Sequence, residues 1–154
     1  MRSGSRRSRI ERAAAGTFAT LGLELGGKDP AYVRADAKLD FSIENLVDGA
    51  FYNSGQCCCG IERIYVHSDV YDEFVDGFVE NARGWTLGNP LDPDTILGPM
   101  AQGRFADVVR EQTNEALRKG ANAHLNMKHE LDAESSPYLA PEVLTNVNHQ
   151  MAVM

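Results

Sequence analysis

Three adjacent cysteines at positions 57–59 lie between a stretch of helical periodicity and a stretch typical of a strand. Apolar residues in 39–51 recur at three- and four-residue intervals, which predicts an amphipathic helix that leads into the cysteines. The β-branched and aromatic run 61–67 predicts a strand that leads away from them. A loop held on both sides by regular structure is the rigid mount that a catalytic thiol needs.

The chemistry of the three cysteines limits the functions that they can serve. A thiolate attacks carbonyl carbon more readily than a hydroxyl does at neutral pH. Adjacent side chains cannot all converge on one tetrahedral metal ion, and no second Cys-x-x-Cys or His-x-x-x-His pair is present, so no structural zinc is expected. Disulfides between neighbours are strained, so we expect reduced thiols in a reducing, cytoplasmic compartment. The residues alone leave open that all three are small buried apolar side chains.

A second motif lies upstream of the cysteines. Positions 23–28 read Leu-Glu-Leu-Gly-Gly-Lys, positions 55–58 read Gly-Gln-Cys-Cys, and Cys58 follows Glu24 by 34 residues. In their order and interval, the two motifs resemble those of the aldehyde dehydrogenase superfamily, which carries Leu-Glu-Leu-Gly-Gly-Lys and, downstream, Gly-Gln-x-Cys. The resemblance implies an NAD(P)-dependent oxidoreductase with an α/β, aldehyde dehydrogenase-like fold. It implies part of the catalytic domain together with the end of the Rossmann-like cofactor domain.

The resemblance also implies roles for five residues. Cys58 would attack the aldehyde carbon to give a thiohemiacetal and then, after hydride transfer to NAD or NADP, a thioester. Glu24 would be the general base that activates water for release of the acid. Gly26 and Gly27 would let the backbone pass close to the nicotinamide ring. Ser5 would belong to a Ser-Gly-Ser turn before a helix N-terminus that receives the pyrophosphate.

The resemblance further implies how the chain divides. Residues 1–30 would be the end of the dinucleotide-binding domain, and residues 31–154 a partial catalytic domain that carries the nucleophile. The family's dinucleotide-binding half lies mainly before the glutamate motif, and its Glu-Glu-x-Phe-Gly-Pro segment would follow Met154. We therefore expect an internal fragment with an incomplete cofactor site and no turnover by itself. The whole-length parent would be a homo-oligomer, and open strand edges would make the isolated chain aggregate or oligomerise.

Composition restricts the remaining functions. A chain of 154 residues with 43% hydrophobic residues can form one domain with a core. The net charge is −7 although the first twelve residues hold five arginines, so neither a nucleic-acid partner nor an anionic membrane is indicated. No apolar run approaches the length of a membrane span. The basic, serine-rich start leaves a transit peptide open as an alternative.

Other patterns predict the remaining elements. Residues 21–25 read as a buried strand that ends in a glycine turn, and Ser68 as the N-cap of a helix that ends near Gly84. Residues 85–100 read as a loop without chemistry that resembles the family's Gly-Asn/Asp-Pro…Gly-Pro segment. A helix is predicted around 105–117 with Gly120 as its stop. A strand is predicted at 123–127, a polar loop at 128–137 and a last extended piece with Pro141 at 138–147.

Three classes of function stay open. The chain is a piece of a dehydrogenase that oxidises a small-molecule aldehyde, a non-catalytic truncated module whose uncovered apolar surface binds a partner, or a thiol-dependent esterase that needs no nicotinamide. The four histidines have no ligand spacing, and no cysteine-protease signature surrounds Cys58. The sequence leaves open which aldehyde is oxidised and whether NAD or NADP is used.

Overall fold

The computed structural model describes residues 3–23 and 27–154, and the side chains from residue 7 onward. Regular structure comprises helices α1 to α4, strands β1 to β4 and two 3₁₀ turns at Tyr52–Gly55 and Ser68–Val70. In chain order the elements are α1 Ser3–Ala14, β1 Asp29–Val33, α2 Leu39–Phe51, β2 Ile61–Val66, α3 Tyr71–Arg83, α4 Gly103–Arg118, β3 Asn122–Ala123 and β4 Leu144–Thr145. None of the helices in the described ranges combines the length and the hydropathy that crossing a membrane requires.

Strands β1 and β2 are parallel neighbours, and α2 makes the crossover between them. A parallel pair needs such a long connection because the chain must return to the same edge of the sheet before the second strand begins. The register sets Asp29 opposite Ile61, and the N–H of His67 donates to the carbonyl of Val33 at the far end, at 2.9 Å. The cysteine loop before β2 and the glycine turn before β1 therefore enter the sheet at the same edge.

Helices α2 and α3 cover one face of this sheet. The core between them holds Val33, Ile43, Val47, Phe74, Phe78, Ala82 and Leu125. The ring of Phe78 lies 5.7 Å from that of Phe74 and 6.3 Å from that of Phe51, at the end of α2. Full burial of a side chain of this size stabilises the fold by about 1.5–3 kcal/mol. This packing fixes the end of α2 where the chain enters the cysteine loop.

Helix α4 and the last residues of the chain form a smaller cluster. Met151 is buried against Ala116 and Ala121. The hydrogen bond from Lys119, followed by that from the N–H of Ala152, holds the pKa of Glu115 below its ordinary value. The C-terminal segment is thus attached to the end of α4 by both apolar and polar contacts.

The loop before β4 is attached to α4 through one arginine. Arg110 donates to Asp132 at 2.8 Å and to Asp107 at 2.8 Å, and its guanidinium also reaches the carbonyls of Ser136 and Tyr138. The side chains of Arg110 and Asp132 are each only 19% exposed, so their attraction is screened less than that of a surface pair. The polar loop predicted at 128–137 is confirmed, and this network holds it on the helix.

Several predicted elements are confirmed. Helix α2 spans the predicted residues, α4 includes its predicted apolar stripe, and Gly120 follows it with a φ of +98°. Ser68, however, is not the N-cap of α3. Residues Ser68–Val70 form a 3₁₀ turn that His67 caps, with its Nδ1 accepting from the N–H of Asp69 at 3.2 Å. Helix α3 begins only at Tyr71, because that turn occupies the preceding residues.

The strand predicted at 21–25 is wrong for residues 21–23, which the structure describes. Residues 21–23 have no strand, and Leu21 is exposed, while residues 24–25 lie outside the described residues. The buried parallel strand in this region is β1, which contains Pro30. The Ser-Gly-Ser turn is also wrong, because α1 already begins at Ser3 and residues 3–5 form its first turn. Arginine and alanine are strong helix formers and extend the helix to this point.

The strand predicted at 123–127 is much shorter in the structure, and only two residues of the extended piece predicted at 138–147 pair with it. The paired residues are Asn122–Ala123 and Leu144–Thr145. Beyond that pairing the carboxylate of Glu142 accepts hydrogen bonds from the N–H groups of Leu125 at 2.8 Å and Asn126 at 3.0 Å. A side-chain acceptor therefore replaces the neighbouring strand as the partner of these backbone groups.

The face of the β1–β2 sheet opposite the helices carries two exposed tyrosines. Tyr32 and Tyr65 are cross-strand neighbours and are 63% and 41% exposed. Within the described residues this sheet has only two strands, so each strand also has one side with no hydrogen-bonded neighbouring strand. Exposed apolar faces and open edges favour association with other chains.

We expect the isolated chain to self-associate through this face. Replacing Tyr32 and Tyr65 together by lysine should shift the sedimentation velocity distribution toward the monomer, because each lysine adds a charge to the contact surface. Tyr71→Lys is the control, since Tyr71 is exposed on α3. A monomeric wild-type chain with one cooperative unfolding transition would contradict this expectation.

Candidate active site

The cysteine loop, residues 52–60, leaves α2 through a run of left-handed backbone. The φ angles are 52° at Asn53, 56° at Ser54 and 72° at Gly55. Glycine adopts this conformation freely and asparagine tolerates it, but a serine held there costs about 1–2 kcal/mol. Contacts made elsewhere in the structure must therefore stabilise the loop.

Two side chains of the loop bind a distant segment, residues 98–101. The Oε1 of Gln56 accepts a hydrogen bond from the N–H of Ala101 at 2.7 Å, and the Oγ of Ser54 donates to the carbonyl of Gly98 at 2.8 Å. The Nε2 of Gln56 also donates to the carbonyl of Asn53 at 3.0 Å. The segment predicted to be a loop without chemistry thus supports the cysteine loop. The only sequence signal for this role was its resemblance to the family's Gly-Pro segment.

The three thiols differ in exposure. Cys58 and Cys59 are exposed and Cys57 is half-buried, and all three are free. They lie in a turn in which the N–H of Gly60 donates to the carbonyl of Cys57 at 3.3 Å. The alternative that all three are small buried apolar side chains is therefore wrong for Cys58 and Cys59.

The neighbouring thiols affect the acidity of Cys59. The pKa of Cys59 is raised above its ordinary value, because negative charge on Cys58 and then on Cys57 disfavours the Cys59 thiolate. A hydrogen bond with the Cys58 side chain acts in the same direction. Since the thiolate is the reactive form, Cys59 is a weaker nucleophile than an ordinary exposed cysteine.

The end of the glutamate motif is bound to the strand that follows the cysteines. The Nζ of Lys28 pairs with Glu62 at 2.6 Å, and the carbonyl of Lys28 accepts from the guanidinium of Arg63 at 2.6 and 3.1 Å. Gly27, one residue earlier, is exposed. The structure thus brings Gly27 and the cysteine loop to the same edge of the sheet.

Three other predicted site residues are not placed in full. Glu24 and Gly26 lie outside the described residues. The backbone of Ser5 lies in the first turn of α1, and its side chain is not described. The roles predicted for these three residues stay predictions.

A cleft of about 840 Å³ opens between the end of α2 and helix α4. Its walls include Phe51, Ser54 and Gly55 on one side and Val109 and Arg110 on the other. The cysteines do not line it, although Ser54 and Gly55 of their loop do. Elsewhere in the described ranges, no three or more His, Cys, Asp or Glu side chains are grouped in a way that could hold a metal ion.

Known proteins resemble this chain in both sequence and structure. The sequence profile of the aldehyde dehydrogenase family matches residues 3–154. The NADP(+)-dependent succinate-semialdehyde dehydrogenase 1 of Mycobacterium tuberculosis H37Rv is 39% identical over 131 residues, which are 85% of this chain and 28% of that protein. The corresponding enzyme of Mycobacterium avium is 38% identical over 131 residues, 85% of this chain and 27% of that protein.

Two solved structures show the same likeness. Succinate-semialdehyde dehydrogenase from Burkholderia pseudomallei superposes with a TM-score of 0.87 at 30% identity and covers 98% of this chain. Lactaldehyde dehydrogenase from Escherichia coli gives a TM-score of 0.86 at 32% identity and covers 97% of it. The match takes in 31% of each of those chains.

The chain therefore belongs to the aldehyde dehydrogenase family. The predicted α/β, aldehyde dehydrogenase-like fold is confirmed by the two superpositions. The chain spans about 28% of the length of the mycobacterial relatives.

The raised pKa of Cys59 predicts a change in alkylation. Replacing Cys58 by serine removes the negative charge that contributes most to the raised pKa of Cys59. At about pH 9.5, above the ordinary thiol pKa of about 8.5, the Cys59 thiolate fraction should rise and iodoacetamide should label Cys59 faster, as measured by pulse labelling and peptide mass spectrometry. Cys57→Ser is the matched control and should accelerate labelling of Cys59 less. An unchanged Cys59 rate in the Cys58→Ser chain would contradict this electrostatic account.

Proposed function

We propose that this chain carries the nucleophile and the general base of an NAD(P)-dependent aldehyde dehydrogenase that converts an aldehyde to a carboxylic acid. The observation that carries the proposal is the exposed Cys58 on an anchored loop that enters the sheet at the same edge as Gly27 and Lys28, the end of the glutamate motif. We also propose that residues 1–30 are the end of the dinucleotide-binding domain and residues 31–154 part of the catalytic domain.

Cys58 is the preferred nucleophile among the three thiols. It occupies the cysteine position of Gly-Gln-x-Cys, whereas Cys57 is half-buried and the pKa of Cys59 is raised. Within the described residues the N–H of Cys58 has no hydrogen-bond acceptor, so it is available to an oxyanion. Loss of one such donor typically lowers the rate by about 10²–10³-fold.

The reaction divides between Cys58 and Glu24. The thiolate of Cys58 adds to the aldehyde carbon and forms a thiohemiacetal oxyanion, which the N–H of Cys58 stabilises. Gly26, Gly27 and Ser5 would hold NAD or NADP, which would supply the hydride acceptor for this adduct. The acyl group then remains on Cys58 as a thioester. Glu24 takes a proton from the water that attacks the thioester, and the carboxylic acid and the free thiol are released.

The residues proposed for the cofactor suit their task. Gly27 is exposed and has no side chain, so a flat ring can approach its backbone. Gly26 precedes it in the sequence. Ser5 lies in the first turn of α1, where free N–H groups and the helix dipole attract a phosphate. We therefore assign Gly26 and Gly27 to the nicotinamide and Ser5 to the pyrophosphate.

The relatives suggest which substrates to test first. Succinate semialdehyde with NADP is the first pair, because the mycobacterial succinate-semialdehyde dehydrogenases carry NADP(+) in their names. Lactaldehyde is the second aldehyde, after the structural relative from Escherichia coli. NAD is the alternative cofactor for both.

Two alternative functions each have one supporting observation. The exposed Cys58 suits a thiol-dependent esterase, which would show burst release from an activated ester in the absence of nicotinamide. The exposed Tyr32 and Tyr65 suit a non-catalytic module that binds a partner. The dehydrogenase is favoured because the cysteine loop and the end of the glutamate motif, Gly27 and Lys28, lie at one edge of the sheet.

The decisive variants belong in the natural gene product that carries this sequence. Glu24→Gln should give one equivalent of reduced cofactor per active site in a rapid burst and almost no further turnover, because acylation of Cys58 precedes the step that needs the base. Cys58→Ala should give neither burst nor turnover. Stopped-flow absorbance at 340 nm measures both quantities with succinate semialdehyde.

Cys59→Ala is the matched control and should keep kcat within about threefold of the wild-type value, because Cys59 has no role in the proposed reaction. The isolated chain of 154 residues should show no turnover. Normal turnover in Cys58→Ala would assign the nucleophile to another residue.

A further inference from the structure

The side chain of Gln56 makes hydrogen bonds at both ends of its amide. Its Oε1 accepts from the N–H of Ala101 at 2.7 Å, and its Nε2 donates to the carbonyl of Asn53 at 3.0 Å. The backbone N–H of Gln56 donates to the same Asn53 carbonyl at 3.1 Å. We propose that Gln56 is the positioning residue of the nucleophile and acts by fixing the backbone that presents Cys58. This inference rests on the proposed role of Cys58.

The two side-chain hydrogen bonds explain why position 56 needs a glutamine. A glutamate at this position keeps the acceptor for Ala101 but loses the donor for Asn53. A methionine of similar length has neither of these groups. Only a neutral amide of this length joins the N–H of Ala101 to the carbonyl of Asn53.

The two bonds act on the strained part of the loop. Asn53 begins the left-handed run, Ser54 continues it, and Gln56 follows its last residue. If the two side-chain hydrogen bonds of Gln56 are lost, the backbone at Ser54 can relax toward negative φ. That relaxation moves the cysteines at positions 57–59, which follow in the chain. A displacement of about 1 Å at a reacting group can reduce the rate by about 10²-fold. The two hydrogen bonds of Gln56 therefore control where the Cys58 thiol and the Cys58 N–H are directed.

The 98–101 segment, to which Gln56 binds, is itself held in place by other contacts. Leu97 is 2% exposed, and its N–H donates to the carbonyl of Thr86 at 2.8 Å. The N–H of Met100 donates to the carbonyl of Pro137 at 2.8 Å, in the loop that Arg110 holds on α4. Gln56 thus ties the cysteine loop to a support that is anchored on both sides. A mobile support could not transmit a fixed position.

Hydrogen–deuterium exchange of the chain tests the inference. In Gln56→Met, peptides that cover residues 53–60 and 98–102 should exchange about threefold to tenfold faster, as loss of hydrogen bonds of ordinary strength implies. Peptides from β2 and α3 should exchange as in the wild-type chain. Gln102→Met is the matched control, because Gln102 is exposed next to Ala101 and its side chain does not cap α4.

A second readout follows the thiols directly. Pulse alkylation of Gln56→Met should at least double the share of label on the half-buried Cys57 relative to Cys58, because the released loop no longer fixes which thiol is presented. Ser54→Ala removes the other bond to the 98–101 segment and should change exchange and labelling in the same direction. It also tests the inference if Gln56→Met does not fold.

Two results would overturn the inference. The first is loop exchange and label distribution equal to those of the wild-type chain. The second is an equal rise in exchange throughout β2 and α3, which would mean that Gln56 serves only global stability. Neither readout needs turnover, so a failure of the proposed dehydrogenase activity would be seen separately in the burst assay.

Discussion

The parallel pairing of β1 and β2 is the constraint on which the site depends. Because Asp29 lies opposite Ile61, the cysteine loop and the end of the glutamate motif, Gly27 and Lys28, enter the sheet at the same edge. The crossover helix α2 makes this arrangement possible, and its packing on α3 fixes the end from which the loop starts. The Lys28–Glu62 ion pair then binds the end of the glutamate motif to β2, the strand that follows the cysteine loop. Chain topology thus brings together what the sequence keeps apart.

The elements that the sequence predicted correctly are those with a strong local period. Helices α2 and α4 each have a regular apolar stripe, and β2 is a short branched and aromatic run, so nearby residues determine them. The errors arise where a distant or unexpected partner decides. Glu142 binds backbone groups near residue 125 that a strand would have used, and His67 rather than Ser68 caps the turn before α3. Neither partner can be recognised from local periodicity.

The candidate site also has features that the sequence predicted and features that it did not. The motif identified Cys58, and its exposure agrees with that choice. The bond between Gln56 and Ala101 spans 45 residues, and apart from the resemblance of the 98–101 segment to the family's Gly-Pro segment no pattern in the sequence marks it. The raised pKa of Cys59 likewise depends on how the adjacent side chains are oriented in the turn. Sequence motifs can thus name the reacting group, whereas its support and its electrostatic environment need the folded chain.

The central claim is that Cys58, and neither neighbour, forms the bond to substrate. The most direct measurement is acid quenching of the natural gene product during turnover with aldehyde and NADP, followed by peptide mass spectrometry that locates the acyl group among the three cysteines. We predict the acyl group on Cys58 alone. An acyl group on Cys57 or Cys59, or continued turnover with no acylated cysteine, would contradict the account.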